Sequence, residues 1–282
     1  MLHEEIRRNV SQALAEDIGT GDLTALLVPE QQTLTADVVA REKAVLCGTQ
    51  WFERCFQVLS PDARIQWFAG DGDPLAAQQN ICRVSGNARA VLTAERSALN
   101  FIQMLSAVAT QTRQYVDAIA GTQAVIVDTR KTLPGLRLAQ KYAVRCGGGE
   151  NHRLGLYDGI LIKENHIAAA GGIRQVLEKA QAIAPQNIFI QIEVESLQEL
   201  QIALDAGAVM VLLDNFTLAQ LSEAVALCTY HAGKTGQAVV LEASGNIGLD
   251  TVRSVAETGV DRISIGSLTK NIQAVDLSMR FI

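Results

Sequence analysis

The sequence predicts an α/β protein whose larger part is a parallel βα barrel, preceded by a smaller α/β region of different rhythm. Three observations carry this reading. Short apolar runs at 124–127, 159–162, 188–192, 209–213, 238–241 and 262–265 are separated by chain that includes helical stretches at 173–183, 196–206, 218–228 and 249–258. Strand–helix units in series need crossover connections, hence a parallel sheet. Each run also delivers a polar group or a glycine loop at its C-terminal end: Asp128, Lys163, Glu193, Asp214, Glu242 leading into Ser244-Gly245-Asn246, and Gly266-Ser267. A closed or nearly closed barrel gathers such ends on one face, whereas an open doubly wound sheet spreads them along a line, so the barrel is favoured. Finally, residues are 48% hydrophobic but only 5% aromatic, which leaves Ala, Val, Leu and Ile to build the core, as in buried parallel strands.

Before residue 120 the pattern is mixed. Leu2, Ile6, Val10 and Leu14 recur at helical spacing and predict an amphipathic opening helix. The segment 16–24, EDIGTGDLT, follows as a loop in which glycines turn and Asp or Thr cap. Strands are predicted at 34–40, 44–46, 64–68 and 81–85, a helix at 51–59, and a turn at Gly70–Pro74. Residues 88–120 read as two long helices broken near Ser106. The change of rhythm puts a domain boundary near residue 108.

The bulk numbers exclude several classes. At 282 residues the chain can hold one large domain or a medium and a small one. A net charge of −6 and few aromatics argue against nucleic acid. No apolar run reaches the length of a membrane span. The first residues mix both charge signs and lack an apolar targeting core, so the cytoplasm is the expected address. Five scattered cysteines without CxxC spacing read as buried free thiols in a reducing compartment.

Against this acidic background, Arg130, Lys131, Arg137, Lys141, Arg145, His152, Arg153, Lys163 and His166 fall in under forty residues. Such local density points to a site for a small, highly charged anion. Arginine grips carboxylate or phosphate at two points, and lysine serves as a movable point charge. Arg137, Lys141 and Arg145 share helical spacing and are read as a solvated face. His166 reads equally as a capping or core histidine and as a functional one. Ser244–Asn246 and Gly266–Ser267, on adjacent strands, can cradle a phosphate or simply close tight turns. Glu193 and Asp214 end apolar strands, where a carboxylate is costly unless paired or bonded. They suit sugar hydroxyls, Mg²⁺ or a developing oxocarbenium ion, or else a salt bridge to a neighbour such as Lys163. Arg96 interrupts the apolar stripe Leu92, Leu99, Ile102, Leu105, either as an edge charge or pointing into a pocket or interface. No Walker loop, GxGxxG, HExxH or GxSxG motif is present.

The segments EDIGTGDLT, TAERSALNF, DTRKTLPGLR, KYAVRCGGGENHRLGLYDGILIKENH, IEVES, LLDNF, EASGNI and ISIGSLT, taken together and in order, resemble the quinolinate phosphoribosyltransferases, or decarboxylating nicotinate-nucleotide pyrophosphorylases. The resemblance spans nearly the whole chain, and its DTRKT and GGGENHR–KENH blocks are specific. It implies a pentosyltransferase that moves phosphoribose from phosphoribosyl pyrophosphate to quinolinate, with Mg²⁺ as cofactor. Products would be nicotinate mononucleotide, pyrophosphate and CO₂, on the de novo route to NAD. The implied fold is an N-terminal α/β sandwich (1–108), an incomplete α/β barrel of about six strands (109–269), and a C-terminal segment (270–282) returning to the first domain. The implied assembly is a homodimer with a shared site. Carried over by position, Arg130, His152 and Arg153 would hold the quinolinate carboxylates, with Arg96 supplied by the neighbouring subunit. Lys131 and Lys163 would face pyrophosphate and substrate charge as catalytic groups. Glu193 and Asp214, also catalytic, would take ribose hydroxyls and orient Mg²⁺ indirectly. Ser244, Gly245, Asn246, Gly266 and Ser267 would cradle the 5′-phosphate. Rival readings are a paralogue with another anion, a barrel aldolase using Lys163 as a Schiff-base amine, and a non-catalytic phosphate-binding module.

Overall fold

A computed structural model describes residues 2–282. The chain opens with helix α1 (Leu2–Ile18), then strands β1 (Thr33–Ala40) and β2 (Ala44–Val45) and helix α2 (Thr49–Leu59). Strands β3 (Arg64–Trp67), β4 (Pro74–Leu75) and β5 (Asn80–Asn87) precede the long helix α3 (Ala88–Ala118). Next come β6 (Val125–Val127), α4 (Arg137–Cys146), β7 (Ile160–Ile162), α5 (Glu164–Ala170) and α6 (Ile173–Ile183). Then follow β8 (Ile190–Val194), α7 (Leu197–Asp205), β9 (Met210–Asp214), α8 (Leu218–Thr235) and β10 (Val240–Ser244). The chain finishes with α9 (Val252–Glu257), β11 (Arg262–Ser264), α10 (Ser267–Lys270) and β12 (Leu277–Phe281).

Two compact units result. The first takes the chain up to Arg113, together with Lys131–Gly148 and Ser267–Ile282; the second takes Gln114–Arg130 and Gly149–Gly266. In the first unit an antiparallel sheet runs β12-β1-β5-β3. Its apolar face and the helices bury Trp51, Phe52 and Phe56 completely or nearly so. The Trp51 indole donates to Asn9 (3.1 Å), and Asn9 in turn donates to the Gly135 carbonyl (3.1 Å). That chain of bonds ties α1, α2 and the segment before α4 together.

Helix α3 corrects the expectation of a break near Ser106. The hydroxyl of Ser106 leaves the helix to bond the backbone of Cys47, accepting from its N–H (2.9 Å) and donating to its carbonyl (3.2 Å). With its side chain satisfied there, the serine does not compete for the helix backbone. Lys141 corrects a second expectation. It is 1% exposed, so α4 does not present a uniformly solvated basic face; Arg145 is exposed and Arg137 half-buried.

The second unit is a parallel sheet of six strands in the order β6-β11-β10-β9-β8-β7. Consecutive β8, β9, β10 and β11 are neighbours, and β6 and β7 form the edges, so this is an incomplete barrel. Glu150 lies along the free edge of β6, donating to the Ile126 carbonyl (2.8 Å) and accepting from Asp128 N–H (3.2 Å). The crossover helices start where local chemistry says they should. Ser196 caps α7 through Glu199 N–H (3.2 Å), and Thr217 with Gln220 forms a capping box on α8.

Candidate active site

Alternation along a strand places Gln191 with Glu193 on one face of β8, Glu242 with Ser244 on β10, and Arg262 with Ser264 on β11. Strand register then sets the levels. Glu193, Leu212, Glu242 and Arg262 are successive partners across four strands, and Asp214 pairs with Ser244 one step further on. Polar groups from separate strands therefore stand in two tiers, a lower one within the strands and an upper one at their C-terminal ends.

The lower tier is a buried relay. Nδ1 of His152 accepts from the Arg153 N–H (2.8 Å), which puts the ring proton on Nε2, where it is donated to Gln191 Oε1 (2.7 Å). Gln191 passes the polarity on by donating to Glu242 (3.2 Å). Glu242 is fully buried, with the Arg262 Nε 3.6 Å away. Asp128 completes the frame, accepting from His152 N–H (2.9 Å) and the Asn151 amide (2.6 Å). Both ring nitrogens of His152 are thus bonded inside the protein. Gly159 matters here, because a Cβ on it would meet the Phe189 ring at 2.5 Å, and that ring packs edge-on against His152.

Arg130 and Arg153, in the same unit, are both half-buried. Burial pulls Arg153 below the usual arginine range, and the positive charge of Arg130 pulls it further, with Asp158 opposing both. Arg153 also donates to the Gly159 carbonyl (2.9 Å), which aims its fork. Asp158 folds the intervening loop by accepting from Leu154 (2.7 Å) and Gly155 (2.8 Å) N–H groups.

Lys163 stands at the start of α5, where its N–H bonds Nδ1 of His166 (2.9 Å). His166 is therefore a capping histidine. The Lys163 ammonium pairs with the Glu193 carboxylate; the lysine side chain is 47% exposed and the glutamate 12%. So the salt bridge weighed for Glu193 exists, between an exposed lysine and a largely covered glutamate. Asp214, one strand over, accepts from the Asn215 amide (2.8 Å).

After β9 and β10 the loops interlock. Asn215 N–H donates to the Ser244 carbonyl (2.9 Å), and the Asn215 side chain fills the space a Cβ on Gly245 would need. Gly245 (φ +109°) and Asn246 (φ +41°) both have positive φ, which turns the chain sharply after β10. Gly266 closes β11 in the same unit.

Lys131, Ser267 and Arg96 belong to the first unit. Lys131 is exposed, and its carbonyl accepts from Thr269 (2.8 Å). Arg96, also exposed, lines a cavity of about 290 Å³ with Asn9, Gln12, Glu16, Asp17 and Asn100.

Sequence reasoning missed Gln191 and Arg262, and took Glu242 as the start of a loop. Strand β10 in fact runs through Glu242 to Ser244. The signal was available: a polar residue two positions before Glu193 shares its face. For Mg²⁺, the barrel offers two carboxylates rather than a full cage. Among the described residues, the one group of three potential ligand side chains is Cys47, Asp71 and Cys146, in the first unit. Hard oxygen donors in ones and twos fit Mg²⁺, which fills its shell with water and substrate oxygens.

Residues 22–106 match the family described as quinolinate phosphoribosyl transferase, N-terminal domain, and residues 108–280 match the corresponding C-terminal domain. The chain belongs to the quinolinate phosphoribosyltransferase family. It is 39% identical to a probable nicotinate-nucleotide pyrophosphorylase [carboxylating] of Bacillus subtilis over 279 residues, covering 99% of this chain and 94% of the relative. Identity to the nicotinate-nucleotide pyrophosphorylase [carboxylating] of Mycobacterium leprae is 40%, covering 97% and 96%. Among solved structures, the nicotinate-nucleotide pyrophosphorylase of Francisella tularensis superposes with a TM-score of 0.94 at 45% identity, covering 99% of this chain and 96% of that one. Among the described residues, no helix is long and apolar enough to cross a membrane.

Proposed function

We propose that this member of the family transfers phosphoribose from phosphoribosyl pyrophosphate to quinolinate with loss of CO₂, giving nicotinate mononucleotide and pyrophosphate for NAD synthesis. The observation that carries this is the family match over both domains, joined to a barrel whose strand ends bear Lys163, Glu193 and Asp214. Arg130 and Arg153 hold the carboxylates of the pyridine ring, each charged hydrogen bond contributing about 1.5–3 kcal/mol. Held so, the ring nitrogen forms its bond to C1 of the ribose while the C1–oxygen bond to pyrophosphate breaks and the electron pair leaves with pyrophosphate. Positive charge grows on the sugar, and Glu193 and Asp214 stabilise it while bonding the ribose hydroxyls. Lys163 and Lys131 take up negative charge on the leaving group and substrate. Glu193 and Asp214 would hold Mg²⁺ indirectly, and the ion would supply charge neutralisation on pyrophosphate. The new pyridinium then accepts the electron pair of the breaking carbon–carboxylate bond. CO₂ departs and the ring carbon takes a proton.

His152, expected to hold a quinolinate carboxylate, is assigned a positioning role instead, because both its ring nitrogens are bonded, to the Arg153 N–H and to Gln191. The turn at Ser244–Asn246, with Gly266 and Ser267, takes the 5′-phosphate. The functional form is a cytoplasmic homodimer in which Arg96 reaches the quinolinate of the neighbouring subunit.

One assay tests the reading: purified protein with quinolinate, phosphoribosyl pyrophosphate and Mg²⁺ yields nicotinate mononucleotide, and nicotinate in place of quinolinate yields little. No product from the complete mixture overturns it. Arg130→Ala should lose quinolinate binding in calorimetry while phosphoribosyl pyrophosphate binding largely survives. Unchanged quinolinate affinity removes Arg130 from this role.

A further inference from the structure

We infer that Cys47 and Cys146 form a redox-active thiol pair in the first unit, joined to a disulfide by hydroperoxides and reopened by small thiols. The two sulfurs and a carboxylate oxygen of Asp71 lie within 4.8 Å of one another. Cys47 stands just before α2 with no exposure at all, and Cys146 ends α4 with partial exposure. This division of access suits two roles. An attacking sulfur must meet the oxidant, whereas a resolving sulfur need only meet its partner.

The electrostatics sort the pair in the same way. A hydrogen bond from the Cys47 thiol draws Cys146 below the usual thiol range, with Arg145 helping, against burial and Asp71. Cys47 is pushed up, chiefly by burial, then by Cys146 and Asp71. A thiolate therefore forms more readily on Cys146, the more accessible partner, and the thiolate is the reactive species. In the first step Cys146 attacks the peroxide, the O–O bond breaks, and Cys146 becomes a sulfenic acid with release of an alcohol or water. Then Cys47 gives up its proton, its sulfur bonds to that of Cys146, and the displaced hydroxide takes the proton to become water. Two sulfurs lose two electrons and one peroxide gains them.

A soft metal is the competing occupant. Asp71 weakens that reading, since Oδ1 already accepts from Gly48 (3.0 Å) and Thr49 (3.1 Å) N–H and Oδ2 from Tyr142 (2.8 Å). The carboxylate is spent on capping α2 and anchoring α4.

The test uses the full, reduced chain treated with hydrogen peroxide at neutral pH and mapped by mass spectrometry without reduction. A linked Cys47–Cys146 peptide, abolished by dithiothreitol, is expected. Cys47→Ser should instead accumulate a Cys146 sulfenic acid that dimedone traps, and Cys146→Ser should leave Cys47 unmodified. Full alkylation of both thiols after peroxide in the wild type overturns the inference, as does equal oxidation of Cys47 in Cys146→Ser. Stoichiometric zinc surviving chelator dialysis, with both thiols protected from alkylation, also overturns it in favour of a metal site.

Discussion

Asp37 and Arg83 face each other across β1 and β5, with Nε–Oδ1 at 2.7 Å and a second guanidinium bond at 2.9 Å. The Arg83 hydrogen bond holds the Asp37 carboxyl below its ordinary value of 3.8, helped by the charge and opposed by burial. A carboxyl depressed in the folded state contributes stability above its unfolded pKa, and that contribution is lost as pH falls through the folded one. Asp37→Asn should therefore lower the thermal midpoint at neutral pH and flatten the part of the acid decline lying below pH 3.8. A scan of melting temperature against pH for both proteins checks this; parallel curves through the acid range would remove Asp37 from the account. In the site, single residues were legible where strands end in charge. Lys163, Glu193 and Asp214 stand out because a charged group closes an apolar run, and Arg130 because it belongs to a dense cationic segment. Gln191 and Arg262 do not, because they sit within or at the start of strands whose outer neighbours look like ordinary core.

Helix α4 ends at Gly147 in ordinary helical conformation (φ −72°), so its glycine is there for space and not for backbone freedom. A Cβ would stand 2.5 Å from the Ala109 carbonyl and 2.6 Å from the Thr112 Cβ, both on α3. Gly147→Ala should force these helices apart and cost about 1–3 kcal/mol, as overpacking in a filled interior does. Urea denaturation measures it, and a midpoint within error of wild type would show that α3 can yield. Elements were legible in proportion to how cleanly their ends are signalled. Helix α6 falls at 173–183 because glycines precede it and an alanine–proline pair follows. Helix α8 runs on to Thr235 through a polar stretch that carries no apolar stripe to follow. Strands β8 and β10 begin and end about two residues later than their apolar runs suggest. An apolar run stops at its first charge, but a barrel interior accommodates charge when a relay such as Gln191–Glu242 satisfies it. Helix α3 lost its expected break for a tertiary reason, the bond from Ser106 to Cys47, which no local pattern announces.

At the scale of the molecule, the chain passes between its two units at 113/114, 130/131, 148/149 and 266/267. A single sequence boundary cannot describe such a layout, because the contacts that define a unit join segments far apart in the chain. The proposed shared site gives the prediction that belongs here. Arg96→Ala and Lys131→Ala dimers, each inactive, should recover about a quarter of wild-type activity after subunit exchange, since half the random dimers are mixed and each of those keeps one intact site. Verified mixed dimers without recovery would count against sharing. The strand order β12-β1-β5-β3 has a consequence of another kind. On the ribosome, β1 emerges early and finds β5 within about fifty residues, but its other edge waits for residues 277–281. At ordinary elongation rates that interval is on the order of ten seconds or more. Through that time the nascent chain displays an open apolar edge, and any neighbour on the same polysome offers an equivalent one. Synthesis, more than equilibrium stability, is where this fold is most exposed to mispairing.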